Sequence, residues 1–265
     1  METINDQSRV QRRDLDLVVP SVFEAMSIVL VGCGAVGSQV ARGLHLMGAR
    51  EVAMYDPDVV GLENMHTQGF TKEDVGQNKV DCLMRGVPRW WKARFERVEA
   101  NTSLMGDVYL SCVDSMATRW VLWEKAQAQH RLIHMENQEE GPVLFVDTRV
   151  LGETVRVVSC YGLEGLAKYK ETWFEDQEAL AERCTSKMTL YSAMAAAGLM
   201  LQRVAEHCRL LGNVFGQETP PSEEEREQVM VRGDCKDMLL DLGHGVIEQL
   251  GDGFEEEEEG EVDHG

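Results

Sequence analysis

No run of about 18 consecutive apolar residues occurs in this chain of 265 residues, so nothing in it reads as a membrane-spanning helix. No C-x-x-C pair occurs either, which removes the paired thiolates that hold a structural zinc, and no zinc is expected. The start mixes Glu2, Asp6, Arg9, Arg12 and Arg13 and lacks the apolar stretch of a secretory signal; a cytoplasmic location is the expectation. Seven cysteines, at positions 33, 82, 112, 160, 184, 208 and 235, are odd in number and scattered, a pattern that predicts reduced thiols rather than a disulfide framework. Positive charge is scarce. Lys and Arg number 26 against 46 Asp and Glu, for a net −20, and no basic stretch interleaved with aromatics argues for nucleic acid.

The deficit is concentrated at one end. From Gln217 onward 17 acidic residues meet 3 basic ones, and Glu255 to Glu259 followed by Gly260 and Glu261 has almost nothing apolar to bury. Residues 213–265 therefore read as an acidic linker and tail, largely disordered, with a short helix over D-M-L-L-D-L-G-H-G-V-I-E-Q-L. Ahead of it, 28–212 has the apolar content of one large α/β domain, and residues 1–27 read as a helical arm.

The apolar run Ile28 to Val31 is bounded by glycine and fits a strand buried on both faces of a parallel sheet. Gly32, Gly34 and Gly37 follow with G-x-G-x-x-G spacing, and Val40, Leu44 and Met47 then recur at helical period until Gly48 ends the helix. In such a unit the first glycine permits the turn and the second lets a phosphate approach the backbone. The third lets helix and strand pack closely, and the helix N-terminus faces the phosphates. A second strand, Val52 to Tyr55, ends at Asp56, where a nucleotide-binding unit places its ribose-binding acid. These features do not separate dinucleotide enzymes from adenylate-forming ones.

Residues downstream do. Asp56-Pro57-Asp58 is followed by Asn64, Gln68 and Gly76-Gln77-Asn78-Lys79, and a further strand, Val108 to Val113, is followed by Asp114 and Arg119. This order resembles the ThiF, MoeB and HesA superfamily, adenylating enzymes related to ubiquitin-activating enzymes, over about Arg9 to Arg209. The resemblance implies an α/β fold with a Rossmann-like, mostly parallel sheet, helices on both faces, and antiparallel strands continuing it. Those strands would carry the tail of a protein substrate, with the Asn137 to Gly141 loop and Arg149 as contacts. It implies an ATP- and Mg2+-dependent adenylyltransferase that activates the C-terminal carboxylate of a ubiquitin-like or sulfur-carrier protein. Gly32, Gly34, Gly37, Asp56 and Asp58 would hold the nucleotide, Asn64, Gln68 and Lys79 its phosphates, and Asp114 the magnesium. Arg9 and Arg12 match an R-x-x-R segment that reaches the ATP of a neighbouring subunit, which implies a homodimer. Cys184, followed by threonine, resembles the thioester cysteine of ubiquitin activators; a buried cysteine at a helix start is the other reading.

The residues themselves keep alternatives open. Lys79 can be a solvated lysine at the start of a helix over 79–87, Asn64 and Gln68 turn formers, and Asp114 the N-cap of a helix over 115–129. Arg119 either clamps Asp114 or is exposed. Where the family's N-L-x-R-Q has an arginine, this chain has N-M-H-T-Q, so neutral Thr67 stands there. Either another cation, from His66, Lys72 and Arg42, substitutes or adenylation is slow or lost. A non-catalytic nucleotide-binding scaffold and an NAD-dependent oxidoreductase are the competing functions, and a branch acting on a small molecule or tRNA base is not excluded. Elsewhere, strands are expected over F-E-R-V-E-A, L-I-H-M-E-N, P-V-L-F-V-D-T-R-V and T-V-R-V-V-S-C-Y. The small-residue helix over about 187–210 is expected in the core or at a dimer contact.

Overall fold

The structure, a computed structural model, describes residues 19–135, 141–173, 188–216 and 220–249. Its strands are β1 Ser27–Val31, β2 Glu51–Tyr55, β3 Lys92–Arg94, β4 Val108–Ser111, β5 Leu144–Leu151, β6 Thr154–Tyr161, β7 Asp234–Asp241 and β8 Val246–Gln249. They form one sheet in the order β3-β2-β1-β4-β5-β6-β7-β8. The first five of that order pair in parallel, and β6, β7 and β8 continue antiparallel. The helices are α1 Pro20–Ala25, α2 Ala35–Met47, α3 Lys79–Leu83, α4 Met116–Met135, α5 Leu163–Lys168, α6 Leu190–Val214 and α7 Glu223–Arg226.

The unbroken apolar run of β1 is explained by the two cores it serves. Ile28 and Leu30 join the cluster under α2 and α6, whereas Val29 and Val31 join the one under α4 and α5. Burying a Leu or Val side chain contributes roughly 1.5–3 kcal/mol, so both faces of the strand select for apolar residues. Small residues bring α6 close to the rest of its layer: Ala193, Ala196 and Ala197 are buried, and a Cβ at Gly43 of α2 would lie 2.2 Å from a Leu201 methyl. The small-residue helix thus belongs to the core.

Several elements differ from the sequence expectation. Leu132 to Met135 ends α4 rather than forming a strand, because the helical pairing of Trp123, Ala126 and Ile133 against the sheet carries through it. No strand forms over 95–100; the short β3 precedes it. Helix α3 ends at Leu83. The segment read as linker with one short helix instead supplies β7 and β8, and β7 pairs with all eight residues of β6. That register sets Cys160 opposite Cys235, and the two are joined as a disulfide. Reduced thiols are the expectation throughout; among the described residues Cys33, Cys82 and Cys112 remain free thiols. No helix among the described residues is long and apolar enough to cross a membrane.

His207 of α6 is 3% exposed, and its Nε2 donates to the Pro142 carbonyl at 2.9 Å. Burial pushes its imidazole down to about 4. Between the ordinary value near 6.5 and about 4 the unfolded chain binds a proton that the folded one refuses, so stability is full above that window and falls as pH drops through it. Urea unfolding is expected to lose on the order of 2–3 kcal/mol from this residue between about pH 7 and 4. His207→Gln, which keeps a donor for Pro142, should flatten that slope; an unchanged slope would remove His207 as its cause.

Candidate active site

The candidate site lies where parallel strands of an open α/β sheet end, at the carboxyl edge of β1, β2 and β4. Gly32 has φ +88°, donates its N–H to the Tyr55 carbonyl at 2.9 Å, and a Cβ on it would lie 2.4 Å from the Cys112 carbonyl oxygen. A Cβ on Gly37 would lie 1.8 Å from the Gly32 carbonyl oxygen. Both positions are closed to any side chain without backbone movement. Gly34 differs: nothing lies within 4 Å of where its Cβ would be, and it directly precedes α2. This backbone is open at the helix end that attracts anions. Gly34→Ala is therefore expected to leave folding unchanged; if the phosphates of a nucleotide lie on this backbone, calorimetry should show affinity about tenfold weaker, roughly 1.4 kcal/mol, and equal affinity would place them elsewhere.

Asp56, 5% exposed, ties this loop down. Its Oδ2 accepts the Cys33 N–H at 2.6 Å and its Oδ1 the Asp58 N–H at 2.8 Å. Burial raises the Asp56 carboxyl, against the pull of those two N–H groups and of Lys79. Burial, followed by the Asp56 charge, raises the Cys33 thiol, so that cysteine is a protonated packing residue.

The loop after Asp56 folds back on itself. Val60 donates to the Gln77 carbonyl and Gly76 to the Val60 carbonyl, each at 2.8 Å, so that Lys79 returns beside Asp58. The Lys79 ammonium, 8% exposed, pairs with Asp58 Oδ2 at 2.9 Å, while Asp58 is 60% exposed. Lys79 is thus a buried, paired cation rather than a solvated lysine. Asn64 accepts the Gly61 N–H at 2.8 Å and shapes the turn. Gln68 Oε1 is buried with no hydrogen-bond partner among the described residues. Next to it, the Gly69 N–H donates to Ser38 Oγ at 3.1 Å and the Gly69 carbonyl accepts from Arg42. Of the three cations offered in place of the missing arginine, all exposed, Arg42 is the one tied to the Thr67–Gly69 segment, through the Gly69 carbonyl.

Asp114 is exposed just beyond β4. Ser115, directly before α4, accepts the Thr118 N–H on its Oγ at 3.3 Å. Arg119 neither clamps Asp114 nor is exposed. Its guanidinium is buried, pairs with Asp147, donates to the Thr148 carbonyl at 2.7 Å, and holds the Val113 carbonyl next to Asp114. Asp147, fully buried, also accepts from Arg149 Nε at 2.8 Å and from the Tyr169 hydroxyl at 2.9 Å. Burial alone would raise its carboxyl, but the charges of Arg119 and Arg149 hold it below the usual range. Arg149 goes on to the Thr172 carbonyl at 2.7 Å, so it is committed inside the protein and is not the tail contact expected of it. The sequence did carry a signal for this cluster, a carboxylate and an arginine set inside the apolar run P-V-L-F-V-D-T-R-V.

Arg9, Arg12, Cys184, residues 137–140 and the acidic tail lie outside the described residues. Among the described residues no three His, Cys, Asp or Glu gather as a metal site. A cavity of about 90 Å³ lined by Tyr161, Arg203, Glu206, His207, Asp234 and Lys236 lies at the opposite end of the sheet. Its Arg203 and Lys236 pair with Glu206 at 2.8 and 2.6 Å.

The model of the ThiF family matches residues 20–220. The adenylyltransferase and sulfurtransferase MOCS3 of Caenorhabditis briggsae is 31% identical over 107 residues, covering 36% of this chain and 26% of that protein. Ubiquitin-like modifier-activating enzyme 5 of Oryza sativa subsp. japonica is 28% identical over 118 residues, covering 36% and 28%. The crystal structure of E. coli MccB with AMPCPP and MccA aligns with a TM-score of 0.59 at 15% identity, over 88% of this chain and 65% of that one. That likeness speaks for the fold. The matched region spans between a quarter and a third of these two curated relatives. By the extent of the family match, the chain belongs to the ThiF family.

Proposed function

We propose that this chain is an ATP-dependent adenylyltransferase that activates the C-terminal carboxylate of a ubiquitin-like or sulfur-carrier protein. The observation that carries the reading is the open backbone at Gly34 before α2, with Asp56, Lys79 and Asp114 around the same carboxyl edge of the sheet, in a ThiF-family chain. A carboxylate oxygen of the tail attacks the α-phosphorus of ATP, and the bond from that phosphorus to the bridging oxygen breaks. Pyrophosphate leaves with the electron pair. Catalysis here is mostly placement and charge. The α2 N-terminus and the glycine backbone receive the phosphates, and Lys79 exchanges Asp58 for a phosphate oxygen. Asp56 retains lone pairs for a ribose hydroxyl beside the two N–H groups it accepts. The donor set suits magnesium, since that ion accepts one or two protein carboxylates when phosphates complete its shell, and Asp114 is the exposed carboxylate at the strand end. Bound there with ATP, magnesium would neutralise triphosphate charge.

The test is isotope exchange between pyrophosphate and ATP in the presence of candidate protein tails. Tail-dependent exchange is expected; ATP binding without exchange for any tail would overturn the reading. It would favour a nucleotide-binding scaffold, a second reading supported by neutral Thr67 and by the pairing of Lys79 with Asp58. If Arg42 supplies the absent cation, Arg42→Ala should lower exchange about tenfold, the ~1.4 kcal/mol scale of one charge-assisted contact. Thr67→Arg in that background should restore it. Full exchange in Arg42→Ala would exclude Arg42.

A further inference from the structure

The edge of the sheet at β3 carries a patch that the adenylation chemistry does not use. Among the described residues β3 pairs with β2 alone, leaving its outer side without a strand. The surrounding segment reads R-W-W-K-A-R-F-E-R from Arg89 to Arg97. Trp91 turns inward and donates to the Ala49 carbonyl at 3.1 Å, but Trp90 is 54% and Phe95 51% exposed. Arg89 lies over the Trp90 ring at 4.2 Å, and Lys92 pairs with Glu51 at 2.8 Å. Arg94 and Arg97 are exposed and have no ion-pair partner among the described residues; Glu96 and Glu99 are the carboxylates of the same segment. In a chain of net −20, Arg94 between the two exposed rings in sequence and Arg97 two residues after the second make a local positive patch. Such a surface fits an extended acidic strand that carries an aromatic residue.

The chain contains that partner. Residues 250–265 hold eight acidic residues and no Lys or Arg, and Phe254 stands immediately before Glu255 to Glu259. Phe254 cannot reach the β3 of its own copy. Seven strand spacings separate β8 from β3 in the sheet order, about 30 Å, whereas the five residues from Gln249 to Phe254 span at most about 17 Å. We propose that residues 254–261 of one copy dock on the β3 edge of a second copy, with Phe254 between Trp90 and Phe95 and the glutamates on Arg94 and Arg97. Reciprocal docking makes a dimer. Its charge contacts lie at the surface, so the association weakens with salt.

The experiment uses the full chain and a labelled peptide of residues 250–265. In a variant with Glu255 to Glu259 all changed to Gln, the edge is freed of competing tails, and the peptide is expected to bind at 50 mM salt. Adding Arg94→Glu and Arg97→Glu to that variant should weaken binding at least tenfold, as should 0.5 M salt. In sedimentation, the unsubstituted chain is expected to dimerise at least tenfold more tightly than either the five-Gln or the two-Glu variant alone. A 1:1 mixture of those two should regain part of the association, because each supplies the half the other lacks. Absence of peptide binding, or equal binding with the two arginines reversed, overturns the proposal. So does an edge variant that loses affinity for single-stranded RNA while self-association stays unchanged.

Discussion

Asp147→Ala is expected to destabilise the fold by about 3–5 kcal/mol, the scale for removing one partner of a buried ion pair. The wild-type carboxylate is fully buried and answers two guanidiniums, Arg119 and Arg149, and the Tyr169 hydroxyl. Removing it leaves two positive charges a few ångströms apart with nothing to balance them, which costs more than the pair contributes. Asp147→Asn keeps an acceptor without the charge and should lose less. The pH dependence separates charge from packing. The folded carboxyl lies below its ordinary value, so its contribution is present above about pH 4 and lost as pH falls through the folded pKa. The gap between wild type and variant in urea unfolding should therefore narrow on acidification. A loss under about 1 kcal/mol at neutral pH would mean that the cluster does not hold the domain together. Activity should fall as well, because Arg119 holds the Val113 carbonyl and through it the strand end that presents Asp114.

Asp114→Ala should do the opposite, removing activity while leaving stability within about 0.5 kcal/mol, as expected for an exposed residue. Tail-dependent pyrophosphate exchange is expected to drop at least ~100-fold, the scale for deleting one preorganised group that stabilises transition-state charge. If the carboxylate acts through magnesium, raising the magnesium concentration should recover part of the loss. A variant that exchanges within about threefold of wild type would take Asp114 out of the reaction. Comparing the two aspartates distinguishes the residue that builds the site from the one proposed to use it.

The glycine loop was legible because its constraints are local. Gly32 needs a positive φ, Gly37 needs a missing Cβ, and both demands follow from bonds and contacts within a few residues and one neighbouring strand. Asp56 was found by spacing, but its role was incomplete in sequence: the carboxylate also pins Cys33 and Asp58. Lys79 reads from sequence as a helix-start lysine, but its pairing with Asp58 is set by the fold-back of the intervening loop, which local pattern does not specify. The strands β7 and β8 are not legible in sequence, since neither carries a strict alternation and burial along β7 is partial.

What the sequence determined by itself is therefore the strand, turn and helix around Gly32, the two-sided burial of β1, and the antiparallel hairpin of β5 and β6 about the G-E-T turn. Each rests on a short-range period or a steric demand that the residue types state directly. Tertiary structure alone decided the Asp147 cluster, the pairing of Cys160 with Cys235, the placement of Arg42 against Gly69 and the separation of β3 from β8. These join segments far apart in the chain, and strand register and layer packing select such contacts only once the whole sheet has formed.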